Sequence, residues 1–342
     1  MARGLGALAR DRLEQAVSFR AGECMFVVGG ESLIDLVSEP VGADGVVHMT
    51  AHQGGSPYNC AIALSKLNND TGYLCPISAD GFGGYLLGPL QEAGVTQLLS
   101  ERVRTPSTLA VVTLNAKGEA RYEFYRGADR AFTKDGLIAA LPQNLALFQI
   151  GGFCPIEPED AVVWLAVAEE AARRGAVISI DPNVRPSLID DFTGYKARLD
   201  RFFDLVHLVK VSVEDLASLD ASKSIEQHVE ALLARPQCEL VVVTLGDKGS
   251  RAFTRSGEAQ AGIYSPPVFG DTVGAGDSLM AGILTTLAER GDLAPGQLKA
   301  LQSDELGEVL RFGAIVAGLN CGHKGCVPPT RDEVDAVLNA SD

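Results

Sequence analysis

The segment from Asp271 to Ser278, DTVGAGDS, combines carboxylates with small residues that can bind an anion. Gly274, Ala275 and Gly276 lack the bulk that would keep backbone amides from closing around a phosphate group. The apolar spacing that follows, from Leu279 to Leu287, predicts a helix. The amides of the glycine-rich stretch would then lie at a helix N-terminus, where unpaired N–H groups and the helix dipole attract anions. The segment therefore predicts a phosphate site.

Asp277 gives this site a possible catalytic group. A carboxylate in the first helical turn can take a proton from a hydroxyl while the neighbouring amides stabilise the group that the hydroxyl attacks. The structural alternative is that Asp277 is an ordinary helix cap and the glycines form a tight turn. Two other phosphate loops are excluded, because the chain has no Gly-Lys dipeptide for a Walker A loop and has Leu279 where a dinucleotide fingerprint needs glycine.

The bulk composition limits the partners of the chain. Its 342 residues carry a net charge of −15 at pH 7, and nucleic acids and anionic membranes are bound mainly through basic patches, so neither is expected as a partner. No apolar stretch has the length of a membrane span and no signal peptide is recognisable, which favours a cytoplasmic location. Residues 1–23 are interpreted as a variable leader.

The cysteines indicate thiols and not a metal site. Seven of them are scattered, mostly in apolar runs, as expected of buried thiols in a reducing compartment. Cys321, His323 and Cys326 fall within six residues, but no second cluster of Cys and His completes a tetrahedral zinc shell.

Short apolar runs alternate with helical patterns along most of the chain. This alternation predicts βαβ units and a mainly parallel sheet, with ligands at the carboxyl edge of the strands. The predicted strands cover 25–28, 147–150, 176–180, 205–211 and 240–245, and the predicted helices include 57–67, 158–174 and 225–234. No shift in composition marks a second domain, so residues 24–342 are expected to form one domain.

Two segments depart from this rhythm. Residues 35–51 and 108–126 alternate in the manner of exposed strands, the second with a hairpin signal at Asn115–Gly118. They predict a small antiparallel sheet, which would act as a lid over the substrate or as the interface of a homodimer.

Five more groups of residues are candidates for ligand contacts. Gly54 and Gly55 allow close approach of backbone to a ligand, and Asn59 offers a donor and an acceptor to sugar hydroxyls; a flexible loop with a helix cap is the alternative. Asp35 could accept hydrogen bonds from hydroxyls, or be a solvated loop residue. The other three groups follow predicted strands. Asp181, Asn183 and Arg185 form a polar cluster after one strand, and Ser212 and Asp215 follow another and also fit a capping box. Thr244, Gly246 and Gly249 follow a third strand and could form a ledge for a nucleotide.

In this order, the motifs resemble the ribokinase-like (pfkB) carbohydrate kinases from about Met25 to Val334. Asp271 to Asp277 resembles the C-terminal signature of that family, and Gly54-Gly55 with Asn59 resembles its N-terminal one. The resemblance implies a three-layer α/β/α fold with a small β lid, and a reaction that transfers the γ-phosphate of ATP to a sugar. Bacterial fructokinases are the most similar group, through blocks such as Asp181 to Arg185.

The resemblance also implies roles for individual residues. Asp277 would be the general base, and the amides of Gly274, Ala275, Gly276 and Asp277 would form the anion hole. The sugar would contact Asp35, Gly54, Gly55, Asn59, Arg126, Asp181 and Asn183. ATP would contact Ser212, Asp215, Thr244, Gly246, Gly249 and Asn320, with Mg²⁺ bound to Asp215 through water and a potassium-like ion near Asp271 and the Val273 carbonyl.

The expected reaction is phosphorylation of a primary hydroxyl on a free ketose, with fructose as the first choice. Pro57 lies where sugar-phosphate kinases of the family carry lysine, which disfavours a phosphorylated acceptor. A 2-keto-3-deoxy sugar acid is the alternative, because Tyr125 and Arg126 could clamp a carboxylate. Ribose or a nucleoside comes third, and a binding protein without turnover is the alternative from another class.

Overall fold

The structure is a computed structural model that describes residues 24–39, 45–114 and 120–340. The strands are β1 (Met25–Gly29), β2 (Leu33–Ser38), β3 (Met49–Gly54), β4 (Thr71–Leu74), β5 (Thr96–Gln97), β6 (Leu109–Leu114), β7 (Ala120–Tyr125), β8 (Leu145–Gly151), β9 (Val177–Asp181), β10 (Leu208–Ser212), β11 (Leu240–Thr244), β12 (Ser250–Phe253) and β13 (Glu258–Ala261). The helices are α1 (Ser56–Lys66), α2 (Gly81–Ala93), α3 (Lys134–Ala140), α4 (Pro158–Arg173), α5 (Phe192–Leu205), α6 (Val213–Asp220), α7 (Ile225–Leu233), α8 (Ala275–Glu289), α9 (Ser303–Asn320) and α10 (Arg331–Ala340).

The main sheet has nine strands in the order β13-β12-β11-β10-β9-β8-β1-β4-β5. All neighbours are parallel except β11–β12 and β12–β13, which are antiparallel at one edge. Strands such as β8 are buried along their whole length, which is why they consist of apolar runs and do not alternate. Because β9, β10 and β11 are parallel neighbours, their ends at Asp181, Ser212 and Thr244 lie at one edge of the sheet.

Two apolar cores cover the two faces of this sheet. On β1, Phe26 and Val28 belong to the core that includes α1, α8 and α9, whereas Val27 belongs to the core that includes α4 and α5. This alternation follows from the two-residue period of a strand. The predicted three-layer α/β/α arrangement is therefore confirmed.

The predicted strands and helices are present, with some shifts at their ends. The strand expected at 205–211 begins at Leu208, because Leu205 is the last residue of α5. Apolar residues that finish a helix and apolar residues that begin a strand look alike in sequence, so the boundary between them was misplaced.

A second, smaller sheet has the order β3-β2-β6-β7, and we call it the lid sheet. Its outer pairs β2–β3 and β6–β7 are antiparallel, as predicted, while the central pair β2–β6 is parallel. The hairpin turn predicted at 115–118 lies outside the described residues. Only Gly30 to Ser32 separate β1 from β2, so the lid sheet leaves the main sheet directly at the carboxyl end of β1.

In the part of the chain that the structure describes, no helix combines the length and apolar character needed to cross a membrane.

Candidate active site

The glycine-rich segment forms the N-terminus of α8, as predicted. The helix begins at Ala275, and Gly274 caps it with φ 73°, a left-handed conformation that favours glycine. A β-carbon on Gly274 would also collide with the Sγ of Cys326. The Ala275 N–H donates to the Thr272 carbonyl at 3.1 Å, whereas the next two first-turn N–H groups, of Gly276 and Asp277, precede the regular ladder and are available to an anion.

Asp277 lies in the first turn of α8 and meets the predicted sugar loop. The Ser56 hydroxyl donates to one oxygen of its carboxylate at 2.6 Å, and the Asn59 side-chain amide donates to the other at 2.9 Å. Both donors belong to the first turn of α1, which follows Gly55. Gly55 has φ 114°, and a β-carbon there would lie 2.6 Å from the Glu31 carbonyl oxygen, so this turn requires glycine.

Burial and charge together set the proton affinity of Asp277. Burial raises its pKa to about 6, and the negative charge of Asp181 adds to this, while the hydrogen bonds from Ser56 and Asn59 and the charge of Lys210 oppose it. A carboxyl group with this pKa is mostly ionised at pH 7 and is still basic enough to accept a proton from a polarised hydroxyl.

Lys210 is a functional candidate that the sequence did not reveal. Its ammonium group forms an ion pair with Asp181, and both side chains are nearly fully buried. Although burial opposes the charge, the attraction of Asp181 raises the pKa of Lys210 above its usual value. The Nζ lies 3.3 Å from the point where Gly276 would carry a β-carbon, so a positive charge borders the anion site. The available signal was a lysine within the buried strand β10.

A cavity of about 630 Å³ adjoins the same helix N-terminus. It reaches from the turn after β11, with Thr244, Gly246 and Gly249, to Ala275 and Gly276. Its volume and its mainly apolar walls suit a nucleotide base and ribose. Further lining residues are Glu214, Asp247, Ser250, Gly262, Ile263, Tyr264, Ser265, Pro266, Phe269, Thr272, Leu279, Ala314, Ala317, Gly318 and Cys321.

Asn320 is not among the residues that line this cavity. Its side chain is fully buried, donates to the Val273 carbonyl at 2.7 Å and accepts from the Val327 N–H at 2.9 Å. The Asp271 carboxylate accepts from the Val273 N–H at 2.9 Å and from the Gly325 N–H at 2.8 Å. The loop before α8 is thus fastened to residues 320–327, and both predicted ligands of a monovalent ion already accept hydrogen bonds.

Ser212 and Asp215 form the predicted capping box at the start of α6. The Asp215 carboxylate accepts from the Ser212 N–H at 2.8 Å and from the Val184 N–H at 2.7 Å, and the residue is 4% exposed. Its expected contact with Mg²⁺ through water stays a prediction. Glu214, which precedes it, lines the cavity. No group of three or more His, Cys, Asp and Glu that could bind a metal ion occurs among residues 24–39, 45–114 and 120–340.

The predicted sugar contacts on the lid sheet lie in different surroundings. Asp35 on β2 is partly buried, which raises its pKa to about 6, and it is close to Gly54 at the end of β3. Arg126, which follows β7, forms ion pairs with Asp129 and Asp160. Its guanidinium carbon also lies 4.5 Å from the centroid of the Phe153 ring.

Asn183, which is half-buried two residues after β9, has φ 46°. The left-handed conformation is tolerated by asparagine better than by most residues, so the turn after Asp181 explains an asparagine at this position without a ligand. Its contact with a sugar stays a prediction.

Glu31 was also missed by the sequence reading. It is buried in the connection between β1 and β2, where its carboxyl group accepts from the Phe153 N–H at 2.9 Å. Burial raises its pKa to about 8. A buried glutamate gives no sequence signal when its partner is 122 positions away.

Several known proteins are similar to this chain over most of its length. A family model described as pfkB family carbohydrate kinase matches residues 24–333. Fructokinase-1 of Zea mays is 32% identical over 324 residues, which are 92% of this chain and 97% of that protein. The crystal structure of fructokinase with bound ATP from Xylella fastidiosa matches with a TM-score of 0.84 at 25% identity, over 93% of this chain and 99% of that chain.

Ribokinase from Giardia lamblia has the same fold, with a TM-score of 0.77 at 22% identity over 94% of this chain and 100% of its own. The family model and the maize fructokinase both match more than nine-tenths of the chain, and the resemblance inferred from the motifs is confirmed. This chain belongs to the pfkB family of carbohydrate kinases.

Proposed function

We propose that this protein is an ATP-dependent kinase that phosphorylates a primary hydroxyl of free fructose. The observation that carries the proposal is the position of Asp277, whose carboxylate joins the sugar loop at Ser56 and Asn59 to the N-terminus of α8, beside the 630 Å³ cavity. The similar fructokinases of Zea mays and Xylella fastidiosa, the latter crystallised with bound ATP, support both substrates.

The proposed reaction is an in-line displacement on the γ-phosphorus. Asp277 takes the proton of the sugar hydroxyl, the hydroxyl oxygen bonds to phosphorus, and the bond from phosphorus to the β–γ bridging oxygen breaks, which releases ADP. The N–H groups at the start of α8 and the Lys210 ammonium group stabilise the negative charge of the transferred group.

The surroundings of Arg126 favour a ketose over a keto sugar acid. Two carboxylates, from Asp129 and Asp160, already compensate its guanidinium charge. A substrate carboxylate would therefore compete with buried ion pairs, and breaking such pairs is costly. An uncharged sugar has no such cost, and hydrogen bonds to Asp35 and Asn59 suit its hydroxyls.

We expect two metal ions to take part, Mg²⁺ bound to ATP and a monovalent cation. We expect ATP to bind as its Mg²⁺ complex, with the metal's water ligands near Glu214 and Asp215, since Mg²⁺ commonly keeps several waters. A potassium-like ion would use the remaining lone pairs of Asp271 and the Val273 carbonyl.

We also propose that the protein forms a homodimer through the lid sheet and is located in the cytosol. Large apolar side chains are exposed on this sheet, including Val37, Met49, Tyr122 and Tyr125. None of the seven cysteines, which all lie within the described residues, forms a disulfide, and this suits a reducing compartment.

The test is ADP formation with a panel of fructose, 2-keto-3-deoxygluconate, ribose and adenosine. Fructose should give the highest kcat/KM, and Asp277→Asn should lower kcat about 10²–10⁴-fold while ATP still binds. Asp135→Asn, an exposed aspartate in the first turn of α3, is the matched control and should retain activity. Preference for the keto acid, or equal turnover by the wild type and Asp277→Asn, would overturn the proposal.

A further inference from the structure

Ser56 takes up one of the acceptor positions on Asp277, the proposed base. Its hydroxyl donates to Asp277 at 2.6 Å, the shorter of the two hydrogen bonds that this carboxylate accepts from α1. In phosphoryl transfer, the sugar hydroxyl must donate a hydrogen bond to the same carboxylate before its proton is removed. Ser56 therefore competes with an acceptor hydroxyl for the carboxylate of Asp277.

The position of Ser56 is fixed by the elements around it. Gly55 leaves no room for a side chain against the Glu31 backbone, and Pro57 follows Ser56 in the first turn of α1. Helix α1 packs against α8, which carries Asp277, so the two helix N-termini keep the hydroxyl and the carboxylate together. A hydroxyl held in this way is preorganised for the contact and does not depend on a mobile side chain.

We propose that Ser56 sets the acceptor specificity of the kinase by keeping Asp277 from accepting a proton from water until a sugar hydroxyl replaces the serine. This inference rests on the function proposed above. A sugar contacts the site through several hydroxyls, and that binding energy can displace one hydrogen bond. A water molecule brings no comparable binding energy, so it competes poorly with Ser56.

The reaction that Ser56 suppresses is hydrolysis of ATP. In that reaction the water oxygen bonds to the γ-phosphorus, the bond to the β–γ bridging oxygen breaks, and the water proton passes to Asp277. The products are ADP and inorganic phosphate, so ADP formation without sugar measures this side reaction directly.

Other charged and titratable groups also face Asp277. They are Asp181 on β9, Lys210 on β10, the Cys60 thiol on α1 and the Cys326 thiol near the C-terminus. Burial raises the pKa of both thiols above the usual range, so they stay neutral while Asp277 titrates. Because Ser56 bonds to the ionised form of the carboxyl group, its loss raises the pKa of Asp277 from about 6.

The experiment compares the wild type with Ser56→Ala and with Ser65→Ala. Ser65 also lies on α1, and its hydroxyl donates to the Ala93 carbonyl at 2.6 Å, so the control removes a hydrogen bond of the same length that does not involve Asp277. ADP formation is measured with and without fructose, and kcat/KM for fructose is measured against pH.

Ser56→Ala should raise the ratio of sugar-free to sugar-dependent ADP formation about tenfold, because a hydrogen bond to an ionised carboxylate shifts an equilibrium by at least that factor. The acid limb of its kcat/KM profile for fructose should move up by about one pH unit. Ser65→Ala should match the wild type in both measurements.

An unchanged ratio, or the same change in Ser65→Ala, would overturn the proposal for Ser56. If instead the wild type phosphorylates no sugar, the proposed function fails, and the sugar-free rates still decide whether Ser56 restrains hydrolysis.

Discussion

Lys210 brings a positive charge into a buried region that also contains Asp181 and Asp277. A lone buried charge is very costly, and the ion pair with Asp181 is what makes this lysine tolerable. Because Lys210 lies beside Gly276, its charge is already in place next to the predicted anion site. At the residue scale, stability is thus expected to depend on the pair, and catalysis on Lys210.

Lys210→Met should lower kcat about 10²–10³-fold, because a charge next to the transferred phosphoryl group is lost. It should also lower the free energy of unfolding by about 3–5 kcal/mol, since Asp181 is left buried without its partner. The double variant Lys210→Met/Asp181→Asn should regain most of the stability but not the activity. Urea unfolding and steady-state kinetics measure the two effects, and recovery of kcat in the double variant would contradict a catalytic role for Lys210.

The connection between β1 and β2 joins the main sheet to the lid sheet, and Glu31 is the buried carboxyl group within it. Its bond to the Phe153 N–H links this connection to the end of β8. Phe153 in turn contacts Phe124 of β7, at a ring distance of 5.5 Å, and the Arg126 guanidinium. At the element scale, Glu31 therefore belongs to the base of the lid.

The raised pKa of Glu31 predicts a pH dependence of stability with a definite sign. Between the ordinary value of 4.5 and about 8, the folded carboxyl group holds a proton that the unfolded chain has lost. Its contribution to stability is thus complete below about pH 4.5 and is lost as pH rises through about 8. Glu31→Gln, which resembles the protonated form, should gain stability relative to the wild type between pH 5 and pH 8.

Urea unfolding at several pH values measures this difference, with Glu92→Gln, at an exposed position of α2, as the control for the loss of a negative charge. A difference between Glu31→Gln and the wild type that stays constant with pH would show that Glu31 is ionised in the folded protein.

The whole molecule consists of a main body, which contains Asp277, the N-terminus of α8 and the cavity, and the lid sheet, which contains Asp35. Register places the exposed Val37 and Tyr122 in one row across the lid sheet, with the buried Val112 between them, next to a row with Asp35 and Phe124 on the same face. Tyr122 is 51% exposed. An apolar surface of this kind, continuous with the substrate side, suits contact with the lid of a second copy.

Tyr122→Asp should shift the protein from dimer towards monomer, because a charge in an apolar interface is costly. Val162→Asp on α4 is the matched control, since Val162 is 57% exposed but lies on the main body. Light scattering across a concentration series measures the mass. A wild type that is monomeric at all concentrations would contradict the lid dimer.

Local signals in the sequence identified the elements, and contacts between distant segments decided the details of the site. The buried strands and the start of α8 were predictable because their patterns lie within a few residues. The role of Ser56 depends on a carboxylate 221 positions away, and that of Glu31 on an amide 122 positions away. Asn320 was placed on the nucleotide side, whereas the structure buries it against the loop before α8.

The hydrogen bonds from residues 320–327 to that loop can form only late in translation. The Asn320 side chain donates to the Val273 carbonyl and the Gly325 N–H donates to the Asp271 carboxylate, yet both donors are made about 50 residues later. A nascent chain can bury most of its parallel sheet before they emerge from the ribosome. The protein should therefore become able to transfer phosphate only at the end of translation, because the loop before α8 lacks these two donors until then.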